Sequence, residues 1–594
     1  MLGWFHRIFC FGLDSIGCFG EMNRKLRYAF LTVLLCCSSM VWGDDVLIEY
    51  QGDHYVINMD ALKPDSEMTL MEVLQLCPEL TIDNSFALNE NYVLCVDDVD
   101  VLLDNITFLK QVKAQEIESI DIYMNPSVSQ GVGGTEAVIN IRYKKSEKKS
   151  TAGKVSLEGS TYGNGLLYGD VKTQQRNIGI RGYALMDLYY AKATPVEGGT
   201  LTQRQMAQNA HVTADWDISS VDNLKVKLFQ QFTDYKERYR HPDESTQIPI
   251  QERLGSMMAT YTRTLNDKEA TLMAEAGGIY LSNSTSGYST YQIAPYFFAE
   301  YNTPLFCDDL WMLAGWEINY DHVKKIELVH QKFLKNDFYL QMDFNSGPWI
   351  VTLGARHTLL NYWNRFYHTE NRQQATHHRS ATTFLATAGY KWGRHYVQGT
   401  FNRDFFIPSF DDFYEDVMHQ TVFTTSYLTN LMWRAELRYN YQKKNLAFFG
   451  VVTHSWMTDM PTPREALTSV KTTITWNQGA LRLTAGANYY HQHISAGIEQ
   501  GKRNDNFFTL KLSPTLLLGK GFRLSAMLLY QSKERYIGND SHLYASVKVN
   551  KDLGRHWNLY ADFHDLTGLP TISLEKSLGE FFNRALTVGM TYRF

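Results

Sequence analysis

The groupings best equipped for chemistry in this chain are two sets of histidines and one acidic run. "YHTENRQQATHH" gathers His368, His377 and His378 in one polar stretch, and "YYHQH" sets His491 and His493 two residues apart. Two apart on a strand means one shared face, where a pair of imidazoles has the geometry to hold a metal ion. "DDFYED" (411–416) concentrates carboxylates, the hard oxygen ligands of calcium. All three are expected to be solvated loop side chains, and no metal site is assigned to them. No nucleophile–histidine–acid arrangement, phosphate-binding glycine loop or CxxC pair accompanies them. The chain is therefore not expected to be an enzyme, and no catalytic residue or cofactor is assigned. A formal charge of −6 gives no support to nucleic acid as a partner, which would need a basic face.

The elements that carry these residues are strands. Aromatics make up 13% of the 594 residues, yet the mean hydropathy is −0.31. Many aromatics in a chain that is polar on average points to strands with one apolar and one polar face. In "MWRAELRYNY", Trp433, Ala435, Leu437, Tyr439 and Tyr441 share one face, and Arg434, Glu436, Arg438 and Asn440 the other. The last strand alternates in the same way from Leu586 to Phe594. Period two with one polar face marks a half-buried strand.

From about residue 150 this pattern repeats in strands of about ten residues whose connections alternate in length. Short polar turns occur at 219–223, 266–268, 345–348, 392–395, 443–445, 477–479, 519–521 and 552–556. Longer polar loops lie near 191–205, 235–253, 359–379, 404–430, 492–506 and 564–584. Only the first hairpin, near Gly163–Gly165, breaks the rule. That asymmetry is the mark of an outer-membrane barrel, with short periplasmic turns and long external loops. The count is about 22 antiparallel strands; 322–346 reads equally as one strand or as a strand plus a loop. An even count puts both barrel ends in the periplasm. Closure is forced, because an open sheet edge in hydrocarbon leaves unpaired N–H and C=O groups, each costing several kcal/mol.

Ahead of the barrel, "MNRKLRYAFLTVLLCCSSMVWGDD" reads as an export signal, with Met22 the expected start and cleavage after Gly43. Its apolar run is shorter than the ~20 residues a spanning helix needs. The expected organisation is a signal region (1–43), a small α/β domain (44–149) and the barrel (150–594). Of seven cysteines, Cys77, Cys95 and Cys307 lie beyond the signal region, an odd and widely spaced set. A Cys77–Cys95 bridge and a pair of small buried apolar side chains are both open readings. In the α/β domain, Leu70, Val73, Leu74 and Cys77 have helical spacing, with Pro78 as a stop. "YVLCVDDVDVLL" reads as strand–turn–strand, and "FLKQVKAQEIESIDIYM" as a short helix leading into a strand.

The stretch "NPSVSQGVGGTEAVINIRYKK" (125–145), following "SIDIY", closes that domain. Residues 47–145 resemble the plug region of TonB-dependent outer-membrane receptors. An opening segment spans Gly52 to Asn58. A second motif runs from Met71 to Leu80, with Glu79 where glycine is usual. A third runs from Tyr92 to Val99, with Asp98 in place of glycine. The last runs from Ile117 to Lys145, with Ala137 replacing the second glycine. The resemblance implies an all-β transmembrane barrel with the α/β plug inside its lumen. It makes Asn125, Pro126, Gly131, Gly133, Gly134, Ile139, Asn140 and Ile141 the glycine turn and final plug strand. It also implies energy-coupled uptake of a scarce extracellular substrate, with TonB and ExbB–ExbD as partners in a Gram-negative outer membrane. Asp45, Val46, Leu47 and Ile48 are the candidate TonB box. Tyr592 and Phe594 resemble the signal by which barrel-assembly machinery recognises its clients, and outer-membrane lipid is the surrounding partner. A plugged barrel without energy coupling, in a structural, adhesion or assembly role, stays open. The loops carry no chemical signature of the substrate.

Overall fold

The computed structural model describes residues 48–594 except for 52–53, 63–67, 75–91, 97–98, 101–108, 110–111, 124–136, 145–149, 162, 195–199, 242–243, 266–269, 286–287, 326–328, 367–372, 406–430, 444–445, 459–463, 496–502, 533–540, 565, 567–579 and 582–584. The N-terminal part builds one six-stranded sheet. Its strands are β1 (Ile48–Gln51), β2 (His54–Asn58), β3 (Tyr92–Val96), β4 (Val99–Asp100), β5 (Ile117–Tyr123) and β6 (Ala137–Tyr143), in spatial order β1-β2-β5-β6-β3-β4. β3 and β6 run parallel and the other neighbours antiparallel. Period-two isoleucines place Ile120 and Ile122 of β5, and Ile139 and Ile141 of β6, in a fully buried core. Two short helices, α1 (Met59–Leu62) and α2 (Leu70–Leu74), cover the sheet, and α2 buries the expected Leu70, Val73 and Leu74. Of the short helix expected ahead of β5, Leu109 is helical and buried, and the described residues next to the strand form a single tight turn at Ala114–Glu116. An isolated bridge between Thr69 and Lys113 extends the chain just before that turn.

The remainder is a closed antiparallel barrel of 22 strands, opening with β7 (Ser150–Ser160), β8 (Gly165–Gln175) and β9 (Ile178–Thr194). The last strand, Ala585–Arg593, pairs with β7 and closes the ring. At this seam Gly153 and Phe594 exchange backbone hydrogen bonds of 3.2 and 3.0 Å. The Phe594 ring lies across the glycine, where a Cβ would stand 2.6 Å from it. One end of the barrel has short turns throughout, several of two residues, with Gly347, Gly393 and Gly479 at φ near +58° as tight hairpins require.

Two expectations are corrected here. The strands run from 8 to 21 residues, where about ten were expected. The long loops expected near 235–253 and 359–379 are largely strand, since Asp222–His241 meets Glu244–Thr264 across two residues and Trp349–Phe366 meets Gln373–Trp392 across six. The composition there is polar as in a loop, but it belongs to hairpins that extend beyond the ~9–11 residues needed to cross a bilayer. The stretch 322–346 resolves into two strands, Leu310–Lys325 and Val329–Ser346.

Alternation sets the two surfaces. Leu157, Met257, Phe338, Leu353 and Val588 face outward and are each at least half exposed, while Thr352, Arg356 and Asn558 face inward and are wholly buried. On the inner face, tyrosines lie flat over cross-strand glycines. Tyr339 covers Gly315, its register partner, and its hydroxyl donates to Glu300 at 3.0 Å. Tyr296 treats Gly277 in the same way and donates to Glu275 at 2.9 Å. A Cβ at Gly315 would stand 2.2 Å from the Tyr339 ring. Gly315→Val should therefore cost about 1–3 kcal/mol by overpacking, while Tyr339→Phe, losing one hydrogen bond, should cost about 1 kcal/mol. Urea unfolding of the barrel in lipid vesicles measures both.

Candidate functional site: the plug and the barrel wall

The α/β domain and the barrel share one apolar core. Ile57, Leu70, Leu74, Ile120 and Ile139 pack in the same cluster as Ala447 and Phe449 of the strand Leu446–Thr458, with Tyr183 and Phe229 of the wall against it. The domain therefore sits inside the lumen as a plug. The wall residues that touch it lie near the short-turn ends of their strands. The plug thus fills the short-turn part of the lumen.

Two plug carboxylates fasten it. Glu116, in the turn before β5, accepts from Lys154 Nζ of β7 at 2.7 Å and from Arg181 Nη2 of β9 at 3.0 Å. Lys154 also pairs with Asp170 of β8 at 3.2 Å, and the Arg181 guanidinium lies over the Tyr143 ring of β6. Glu72, on α2, accepts from Arg523 Nη2 of the strand Phe522–Gln531 at 2.7 Å. The same Glu72 carboxylate accepts from the Thr69 amide at 2.9 Å, while Thr69 Oγ1 accepts from the Glu72 amide at 3.3 Å. That reciprocal pair is a capping box, so one carboxylate both starts the helix and ties it to the wall. All these cations belong to one arc of strands flanking the closing seam.

The electrostatics follow from this geometry. Burial alone would raise the Glu72 carboxyl, but Arg523 and Lys548 outweigh it and hold the group down to about 2. Burial likewise opposes the Glu116 charge, and Lys154 with Arg181 overcome it, leaving that carboxyl below its usual range. Lys113 is the converse case. Burial first, then Lys548 and Lys154, lower its ammonium to about 7.

The expected site residues fall as follows. Ile139, Asn140 and Ile141 form the buried middle of β6, as the final plug strand should. Asn125, Pro126, Gly131, Gly133 and Gly134 lie outside the described residues, as do Asp45, Val46 and Leu47; Ile48 opens β1, paired with Ile57. Tyr592 faces outward at the seam, its ring 4.7 Å from that of Trp557, and Phe594 follows on the same face. His491 and His493 are on the strand Leu481–Ser495, outside the expected loop, and each faces a cross-strand asparagine, Asn506 at 2.6 Å and Asn504 at 2.5 Å. His378 is likewise on a strand, 2.5 Å from Asn361, while His368, the run 411–416 and Cys77 lie outside the described residues. Among the described residues no group of three or more potential ligands converges. The fastening residues Glu72, Glu116, Lys154, Arg181 and Arg523 were not foreseen. "TLME" is legible as a capping box, but its wall partner is not.

No family model and no curated relative matches the chain. Solved structures do. The FrpB iron transporter from Neisseria meningitidis superposes with a TM-score of 0.69 at 10% identity, over 92% of this chain and 100% of that one. The siderophore receptor PiuA from Acinetobacter baumannii gives 0.67 at 10% identity, over 92% and 97%. The copper transporter OprC gives 0.69 at 10% identity, over 92% and 99%. The chain has the plugged-barrel fold of these receptors. It is the fold that the plug motifs led one to expect of a TonB-dependent receptor.

Two measurements test the fastening. Arg523→Ala leaves Glu72 buried without its guanidinium, a loss of about 3–5 kcal/mol for a broken buried pair. It should lower the urea concentration at which the plug becomes protease-sensitive, and Glu72→Gln combined with Arg523→Gln should lower it less. A carboxyl held below its unfolded value stabilises the seated plug fully above pH ~4.5 and loses that contribution as pH falls toward 2. Plug protection should therefore be flat in Glu72 and Glu116 from pH 5 to 8 and collapse below about pH 4, read by the same proteolysis.

Proposed function

We propose that the chain is an energy-coupled outer-membrane receptor that imports a scarce solute into the periplasm of a Gram-negative bacterium. The observation that carries this reading is a lumen filled by an α/β plug that charge pairs and a shared apolar core hold to the wall. A 22-strand barrel without a stopper would leak. A stopper held by a handful of ion pairs and a modest apolar contact can be shifted by a pull and can reseat afterwards. No helix among the described residues is long and apolar enough to cross a membrane.

The pull would be delivered at the plug's edge. β1 is an outermost strand of the plug sheet, and among the described residues it pairs only with β2. An edge strand of this kind accepts a partner by strand addition. The segment Asp45–Ile48 running into it is the proposed contact for TonB, with ExbB–ExbD as the motor. The outward Tyr592 and Phe594 are the proposed contact for the barrel-assembly machinery. The structural neighbours carry iron, siderophores or copper, so metal ions and metal chelates are the first solutes to try; no enzymatic role is proposed. A second reading, a plugged barrel without coupling, is favoured by one feature. With cleavage after Gly43, only Asp44–Leu47 precede a strand that is already paired.

Leu47→Cys in intact cells separates the two. The coupled reading predicts a disulfide adduct with a cysteine-bearing TonB, together with solute uptake that falls at least tenfold when TonB is deleted. No adduct, and no change in uptake or growth without TonB, would leave the uncoupled reading.

A further inference from the structure

The outer face of the barrel carries positive charge at one height. On the strand Thr200–Asp217, Trp216 marks the short-turn edge of the outward apolar series and Arg204 stands twelve residues above it on the same face. Lys236 stands twelve residues above Leu224 on Asp222–His241, Lys324 twelve above Met312 on Leu310–Lys325, and Lys332 twelve above Phe344 on Val329–Ser346. Twelve residues at ~3.3 Å are about 40 Å of strand, or about 30 Å of height at a tilt of ~40°. That equals the thickness of a hydrocarbon core, ~30 Å. Two pairs of neighbouring strands thus place cations where the outer headgroups begin.

The charges are crowded and almost all of one sign. Arg204 is the direct cross-strand partner of Lys236; exposed Arg238 and Arg240 stand beyond them, and exposed Arg253 stands four residues nearer the apolar belt, opposite Phe232. Beyond the Phe232 row, Asp234 is the one carboxylate at the outward positions of these three strands, 3.1 Å from Lys236. Farther round, His322 pairs with Lys332, Lys324 with His330, and His330 with Arg365, with no outward carboxylate among them. Like charges set opposite one another destabilise a sheet unless an anion lies between them. Tyr190 lies under Arg204 and Phe232 under Arg253, which holds the guanidiniums against the apolar belt.

Directly below the first array the lipid-facing surface is hollow. Leu167, Ala184, Met186, Gln208, Ala210 and Phe232 line a depression of about 510 Å³, opened by the two alanines. Cations above an apolar hollow match an amphiphile with anionic head and acyl tail. We infer that this face binds a phosphorylated glycolipid of the outer leaflet, its phosphates on Arg204, Lys236, Arg238 and Arg253 and an acyl chain in the hollow. The array His322, Lys324, His330, Lys332 and Arg365 takes a second phosphate-bearing headgroup. The inference rests on the strands facing lipid and not on energy coupling. A chain that imports its solute yet ignores glycolipid would sink this inference alone.

The full-length protein, purified in mild detergent, is mixed with diphosphoryl lipid A or its dephosphorylated form and examined by native mass spectrometry. Diphosphoryl lipid A should stay bound at one or more copies per barrel, at least tenfold better than the dephosphorylated form. The combined Arg204→Gln, Lys236→Gln, Arg238→Gln and Arg253→Gln variant should lose that retention at least tenfold while keeping the heat-modifiable gel migration of a folded barrel. Should this variant fail to fold, the comparison of the two lipids on the unmodified protein decides. Inorganic phosphate at high concentration should not displace the lipid. Equal retention of both lipids, unchanged retention by the folded variant, or displacement by phosphate alone would overturn the inference.

Discussion

A strand that faces hydrocarbon has no water to satisfy its backbone, and the rest of this structure follows from that constraint. Each N–H and C=O must find another strand, so the sheet closes on itself and the last strand is zipped to β7 through Gly153 and Phe594. Closure with 22 strands leaves a wide lumen, and a wide lumen must be filled. The plug is thus a consequence of barrel size.

The division of charge between plug and wall reflects this. The plug presents carboxylates and the wall presents cations, all on strands flanking the seam. The seam is where the ring is completed, and the same strands grip the stopper. Glu72 illustrates the economy of the arrangement, since one carboxylate nucleates α2 and anchors it to Arg523. The apolar contact runs through Ala447 and Phe449, four strands from that of Arg523, and through Tyr183 and Phe229. Lys113, whose ammonium is lowered by burial among other cations, marks a place where seating the plug carries a cost.

Much of the fold was legible because period-two alternation is a local signal. The faces of Leu431–Lys443 and Ala585–Arg593 can be read residue by residue, and the helical spacing of Leu70, Val73 and Leu74 is equally direct. Strand length was not legible. Above the membrane a strand needs no apolar face, so the upper parts of Asp222–His241 and Glu244–Thr264 look like polar loop until cross-strand pairing is known. The fastening residues were hidden for a related reason. Glu116 and Arg181 are ordinary surface-type residues in the chain, and only closure brings them to 3.0 Å. The histidines drew attention by type, yet strand placement gives each of His378, His491 and His493 a neutral asparagine partner and leaves no converging ligand set among the described residues.

The central claim is that the N-terminal domain stops the barrel from within. Ionic conductance across planar lipid bilayers tests it most directly, comparing the full-length chain with one lacking residues 44–149, both verified as folded barrels by heat-modifiable migration. A stoppered lumen predicts that the full-length chain is electrically silent and the shortened chain forms large, steady channels. Equal conductance from the two proteins would contradict the account.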